Sequence, residues 1–363
     1  MNEKETFVIH PYLKSDRLYK DSDLIEANKL IEAIDLKSIF NRSIGLDKIN
    51  PKTYINSGLV SELQKMIEKK NVDILFINCS LAPIQQRNLE KEINCKIIDR
   101  TGLILEIFGA RAKSNEGKLQ VTLASLEYQK SRLVRSWTHL ERQRGGAGFM
   151  GGPGESQIES DRRQITEQIN RIKKKIKVIN KTRNLQRYRR RKNNVPIVSL
   201  VGYTNSGKST LFNYLTRSDI LAKDMLFASL DSTIRKVKIN NKVFLIIDTV
   251  GFIKSLPTNL IAAFRSTLDE IISSDIILHV RDISNDENQN HKKDVIKVLE
   301  ELGIRKEDPR IIDVINKIDL IESTESFLDK DLNTISAISG FGINKLKMRI
   351  FERIKSMRSD LFQ

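Results

Sequence analysis

Cysteine is almost absent: the 363 residues contain two, Cys79 and Cys95. They form no C-x-x-C pair and no metal-ligand spacing, which excludes a disulfide-stapled scaffold and a zinc ribbon. Long apolar runs are missing too. No stretch of roughly 20 residues is free of charge, so no membrane-spanning helix is expected. The opening MNEKETFVIHPYLK lacks the basic-then-apolar layout of a secretory leader. The simplest expectation is a cytoplasmic monomer with no stable membrane anchor.

Acidic residues are scarce in one region only. Residues 1–110 hold 16 Lys/Arg against 16 Asp/Glu, and residues 193–363 hold 24 against 23. The middle stretch 111–192 holds 22 against 7, so +15 of the net +16 sits there. Lys and Arg concentrated in this way favour a polyanionic partner, because they release counterions from nucleic-acid phosphates. A solvated helix face is the plainer alternative.

Periodicity divides the chain into three segments. In residues 1–115, apolar runs at Val72–Asn78 and Cys95–Ile98 read as buried strands. Ser22–Leu36, Ser57–Lys70 and Pro83–Glu92 read as helices, so the segment predicts a small α/β domain with a largely parallel sheet. In residues 116–192, Leu119, Leu126, Leu133 and Leu140 recur every seven residues, with Leu123, Lys130 and Trp137 in a second register. Ile158, Ile165, Ile172 and Ile179 repeat the pattern after a break, with Ile169 and Ile176 beside them. Two such series predict a long antiparallel helical hairpin sharing an apolar seam.

Its tip, residues 145–154 (GGAGFMGGPG), is expected to be non-helical because of its glycines and Pro153. Ser156 and Glu159 offer a capping box to restart the helix. The tip is either a flexible connection or a contact surface. On the second reading Arg144, Gly145, Gly146, Gly148, Gly151 and Gly152 approach RNA phosphates, with Phe149 and Met150 exposed. Arg187, Arg189, Arg190 and Arg191 close the second helix. They suit its C-terminal dipole, and they equally fit contact with an RNA backbone.

Residues 195–363 carry the readable chemistry. The apolar run Pro196–Val201 leads into Gly202-Tyr203-Thr204-Asn205-Ser206-Gly207-Lys208-Ser209-Thr210, which is G-x-x-x-x-G-K-S between a strand and a helix. Backbone amides of such a loop curl around phosphates at a helix N-terminus. Lys208 would bridge the β- and γ-phosphates, and the Ser209 hydroxyl would bind Mg²⁺. The strand Val243–Ile247 ends in Asp248-Thr249-Val250-Gly251, where the Asp holds Mg²⁺ through water and the Gly251 amide meets the γ-phosphate. Thr233 is the expected second hydroxyl on Mg²⁺, with Thr210, Ser229 and Ser232 as nearby alternatives. Lys208, Thr233 and Gly251 are the expected catalytic set.

The base is read by Asn316-Lys317-Ile318-Asp319 after the apolar strand Ile311–Ile315. The Asp319 carboxylate can accept from both N1–H and N2–H₂ of guanine, a donor pair adenine lacks. Asn316 is expected to tether this loop to the phosphate loop, and Lys317 to lie along the base. Ser336-Ala337 fits a loop whose amide meets guanine O6. The ligand pair is therefore GTP and GDP. Phe252 follows Gly251 where Ras-like proteins place a water-orienting Gln. Slow intrinsic hydrolysis, completed by a partner, is the expectation.

Several stretches together resemble the HflX family of ribosome-associated GTPases. They are Asp99–Trp137, the glycine loop RGGAGFMGGPGE, ESDRR (Glu159–Arg163), GYTNSGKSTLFN, FASLDSTIRKV (Phe227–Val237) and DTVGFI (Asp248–Ile253). The resemblance implies an N-terminal α/β domain with a helical hairpin, followed by a doubly wound, mostly parallel P-loop GTPase domain. It implies docking on the large ribosomal subunit and its rRNA, stimulated hydrolysis, and a role in splitting or rescuing stalled ribosomes. Asn205 resembles a potassium-binding residue of some related GTPases, which adds K⁺ to Mg²⁺ as an expected ion. Some members carry a further C-terminal domain, whose role is not carried over to a chain that stops at Gln363. A nucleotide-gated rRNA-binding or ribosome-assembly module, with hydrolysis secondary, is the alternative.

Overall fold

The computed structural model describes residues 5–16, 20–143, 153–192, 194–218, 226–227, 230–254, 256–257, 260, 265–321 and 333–358. By contact the chain divides into two compact units. One is 1–110 with 118–176, and the other is 111–117 with 177–363.

The first unit contains a four-stranded sheet of β1 (Glu5–Leu13), β2 (Lys37–Leu46), β3 (Ile74–Ile77) and β4 (Lys96–Asp99), in the order β2-β1-β3-β4. Every pairing is parallel. Helices α1 (Lys20–Glu32), α2 (Ser57–Lys70) and α3 (Pro83–Ile93) connect the strands, and α4 (Arg100–Arg111) follows directly on β4. Local chemistry sets the helix ends. The Asn56 side chain accepts from the Leu59 amide at the start of α2, and left-handed Asn71 and Asn94 stop α2 and α3. The apolar faces of the helices meet β-strand residues Phe7, Ile9, Leu75, Ile77 and Ile97 in one core.

Three elements here escape sequence reading: β1, β2 and α4. Pro11 argues against a strand, yet β1 carries it beyond Ile9, the last residue paired to β3. There only the β2 side remains hydrogen-bonded, so a missing N–H is tolerated.

The hairpin helices are α5 (Asn115–Gln143) and α6 (Pro153–Lys192). Leu123 and Leu126 are buried with Ile169, and Ile165, Ile172 and Ile176 flank them, which is the apolar seam. Lys173 reaches back to Glu127 at 2.8 Å, as antiparallel helices require. The side chains of Trp137, Leu140 and Ile158 lie outside the described set, as do Arg144, Gly145, Gly146, Gly148, Phe149, Met150, Gly151 and Gly152. α6 begins at Pro153 rather than at Ser156, which corrects the expectation that Pro153 lies in a non-helical tip. A proline is compatible with the first helical position, where the amide has no intrahelical partner.

The second unit is a six-stranded sheet of β5 (Ile197–Val201), β6 (Thr233–Ile239), β7 (Lys242–Asp248), β8 (Ile276–Asp282), β9 (Ile311–Asn316) and β10 (Asn333–Thr334). The order is β10-β9-β8-β5-β7-β6, parallel except for β6, which pairs antiparallel to β7. Asn240 and Asn241 make the two-residue turn of that hairpin, both at positive φ. Helices α7 (Lys208–Thr216), α8 (Arg265–Ile272), α9 (Asn288–Glu301) and α10 (Ile343–Met357) complete the unit. α10 buries Ile343, Leu346, Ile350 and Ile354, a stripe at 3–4-residue spacing, against the core under β5, β7, β8 and β9. This is the doubly wound arrangement in which ligands bind beyond the carboxyl ends of the strands.

Candidate nucleotide site

Four loops leave the carboxyl edge of the second sheet side by side. Residues 202–207 run from β5 to α7, and residues 248–251 close β7. Residues 316–319 follow β9, and residues 335–337 follow β10.

Asn316 ties three of them together. Its Nδ2 donates to Ser206 O at 2.9 Å, and its Oδ1 accepts the Ala337 amide at 3.0 Å. A side chain on Gly207, whose φ is +86°, would run into the Asn316 amide group, so glycine is required there. Ser336 is fully buried, and its Oγ accepts the Ser339 amide. Within the Ser336-Ala337 loop, expected to offer an amide to guanine O6, the Ala337 amide is engaged by Asn316. Asp319 is exposed on a short 3-10 turn, and Lys317 pairs with Asp282 at the end of β8 at 2.7 Å.

On the phosphate side, Lys208 is buried and its Nζ donates to Tyr203 O at 2.7 Å. Burial pulls its pKa down from 10.5 to about 8; Asp248 opposes this and Lys317 adds to it. Gly251 comes close to this ammonium, for a Cβ there would sit 3.0 Å from Lys208 Nζ. The hydroxyls of Thr204 and Ser206 are buried in the same loop without a hydrogen-bond partner among the described residues. Buried polar groups are ordinarily satisfied, so two such hydroxyls beside a buried ammonium suit an anionic ligand. Asn205, within the loop, and Thr210, in the first turn of α7, are half-buried, and Asn205 has left-handed backbone.

The expected metal-binding oxygens also converge. Ser209 Oγ donates to Asp248 Oδ2 at 2.7 Å. Thr233 is the first residue of β6 and pairs directly across the ladder with Asp248. Directly opposed residues present their side chains on the same face of a sheet. The set is one carboxylate and two hydroxyls, which matches a hard cation completed by phosphate oxygens and water. Thr249 and Val250 are buried, and the Thr249 hydroxyl donates to Leu200 O. Among the alternatives, Ser229 lies outside the described residues.

Phe252 is fully buried. Its amide donates to Gly202 O at 3.0 Å and its carbonyl accepts the Thr204 amide at 2.7 Å, so the segment after Gly251 is zipped to the phosphate loop. Tyr203 extends the zipper: its hydroxyl accepts the Lys254 amide, and its ring stacks on His291 of α9 at 3.7 Å. Behind the site, Asp313 of β9 accepts from Arg281 at 2.8 Å and Lys292 at 2.7 Å. His279 lies 3.6 Å from the same carboxylate, and burial lowers its pKa to about 4, so the ring is neutral at pH 7. No motif announced Asp313, His279 or His291, because their partners lie on other strands and helices.

The arginines at the end of α6 are divided. Arg187 and Arg190 pair with Glu270 of α8 at 3.2 and 3.3 Å, and Arg187 also lies 3.6 Å from Asp269. Glu270 is 2% exposed, and a carboxylate so buried needs cationic partners. Arg189 is exposed, and the side chain of Arg191 lies outside the described set.

Three family models match in series: GTP-binding GTPase N-terminal over residues 21–109, GTP-binding GTPase Middle Region over 111–190, and 50S ribosome-binding GTPase over 197–317. GTPase HflX of Magnetococcus marinus is 52% identical over 309 residues, covering 84% of this chain and 71% of its own. GTPase HflX of Escherichia coli is 39% identical over 358 residues, covering 97% and 83%. The chain belongs to the HflX family of GTPases. Among solved structures, the complex of SsGBP with GDP matches 98% of this HflX-family chain and 99% of its own, with a TM-score of 0.52 and 24% identity. That likeness is one of fold. Among the described residues, no helix is long and apolar enough to cross a membrane.

Proposed function

We propose that this HflX-family GTPase binds GTP with Mg²⁺ at the carboxyl edge of the second sheet and hydrolyses it in response to the large ribosomal subunit. The observation that carries the reading is the cross-tie through Asn316, which joins the phosphate loop to the loops that would read guanine. Lys208 and the amides of 202–209 hold the phosphates, Asp319 reads the base, and Ser209, Asp248 and Thr233 provide the metal oxygens. Mg²⁺ there would neutralise the charge developing on the transferred phosphoryl group. Asn205 is the residue positioned for K⁺. The concentration of +15 in residues 111–192 supports docking on rRNA, and the family model over 197–317 is described as a 50S ribosome-binding GTPase. Splitting or rescue of stalled ribosomes in the cytoplasm is the corresponding cellular role.

The buried Phe252 favours a second reading, in which GTP gates binding to rRNA and hydrolysis is secondary, because no water-orienting side chain follows Gly251. The deciding experiment is GTP turnover with and without large ribosomal subunits in K⁺ buffer. Stimulation of about tenfold or more supports the first reading. Turnover that stays slow while the protein co-sediments in the GTP-analogue state supports the second. The absence of both stimulation and co-sedimentation overturns the ribosomal reading.

A further inference from the structure

Asp231 and Ser232 directly precede Thr233, the first residue of β6, and Asp231 and Thr233 face different elements. Thr233 lies across the ladder from Asp248. Asp231 instead reaches the start of helix α5, more than a hundred residues away in sequence, within the same compact unit. Its Oδ2 accepts the amides of Lys113 at 2.9 Å and Ser114 at 2.8 Å, and its Oδ1 takes the Ser114 hydroxyl. Ser114 in turn accepts the Gly117 amide at 2.8 Å, which is a helix N-cap. Arg183 of α6 pairs with Glu116 in the same first turn at 2.8 Å. Gly117 leaves room for the carboxylate, since a Cβ there would collide with Asp231 Oδ1.

We infer that Asp231 is a latch through which the γ-phosphate acts on the long hairpin. The inference rests on the reading of Thr233 as a ligand of nucleotide-bound Mg²⁺. Hydrogen bonds tolerate displacements of only a few tenths of an ångström before they weaken. A single residue, Ser232, separates Thr233 from Asp231, so fixing one restricts the other. Both are in place in a single structure, so GTP that holds Thr233 beside Asp248 also holds Asp231 on α5. Loss of the γ-phosphate frees the pair together. α5 is continuous from Asn115 to Gln143, so its latched first turn belongs to the same helix as the seam residues Leu123 and Leu126. The coupling is reciprocal: a partner that pulls on α5 alters the affinity for GTP relative to GDP.

The test is hydrogen exchange of the segment 111–118 in the full chain, loaded with GDP or with a non-hydrolysable GTP analogue and Mg²⁺. The native protein should exchange these amides at least about fivefold more slowly with the analogue, in line with typical coupling strengths. Asp231→Ala should abolish that difference while leaving GDP affinity within about twofold. Gly117→Ala, which forces the carboxylate away, should do the same by another route. Equal exchange in the two nucleotide states, or a difference that survives in both variants, overturns the latch alone. A protein that binds no guanine nucleotide overturns the latch and the site reading together.

Discussion

At the carboxyl edge of the first sheet, the fully buried Asp99 pairs with Arg132 at 2.7 Å and accepts from Tyr128 at 2.6 Å and from the amides of Leu81 and Gly102. Burial and the Asp99 carboxylate hold the Tyr128 phenol protonated far above its ordinary range. Next to it, Arg100 bridges Asn78 at 2.7 Å and Glu26 at 2.5 Å, and Asn78 meets His10 at 3.1 Å. At the matching edge of the second sheet, the loop residues are glycines and hydroxyls around one buried ammonium. Both edges gather polar groups where parallel strands end. In the first, opposite charges fasten helices to the sheet. In the second, the Lys208 ammonium meets the Tyr203 carbonyl, and the Thr204 and Ser206 hydroxyls have no hydrogen-bond partner among the described residues, which suits a ligand site more than an internal brace.

That contrast can be broken in three places. Lys208→Ala should lower GTP affinity about a thousandfold, roughly 4 kcal/mol at 1.4 kcal/mol per tenfold, since it removes the ammonium facing the phosphates. Equilibrium binding measures it, and a loss below about tenfold would make the second edge a brace as well. Arg132→Ala should destabilise the first unit by about 3 kcal/mol, because Asp99 is left buried without its cation. Denaturant unfolding reads that loss, while GDP affinity should stay within about twofold. A large change in nucleotide binding would mean that the first edge is more than a brace.

The smallest effect concerns protons. Free Lys208 has its pKa lowered to about 8, and phosphates favour the charged form, so binding takes up a proton once the pH exceeds about 8. The affinity for GDP should fall about tenfold from pH 7 to 9. For folding the sign is opposite. The unfolded chain binds the extra proton between pH 8 and 10.5, so the destabilising burial of this ammonium is relieved as pH rises through that window. Calorimetry in buffers of different ionisation enthalpy measures the uptake, and none at pH 8.5 would contradict the assignment.

Sequence reading worked where the determinant is local. The strand, glycine loop and helix around Lys208 follow from adjacent residues, as does the amphipathic stripe of α10. The seam of α5 and α6 was legible because heptads repeat. What was missed depends on distant partners. β8 carries His279 and Arg281 inside an apolar run, and distant partners, Asp313 on a neighbouring strand and Asn288 of α9, make them acceptable. β6 reads as a polar stretch until its pairing with β7 is known. Arg187 and Arg190 look available to RNA until Glu270, about eighty residues later, claims them. The Asp231 cap of α5 has no motif at all.

The tie through Asn316 also has a consequence for how the molecule is made. It links residue 206 to residue 316 and residue 316 to residue 337, so the nucleotide pocket is assembled from contacts of high sequence separation. Closing such long loops costs entropy before any contact repays it. The pocket therefore matures only after residue 337 has been synthesised, whereas strands β1 to β4 can pair once the first hundred residues have emerged. A nascent chain short of residue 337 lacks the Ala337 amide that Asn316 accepts, the last strap of the proposed site.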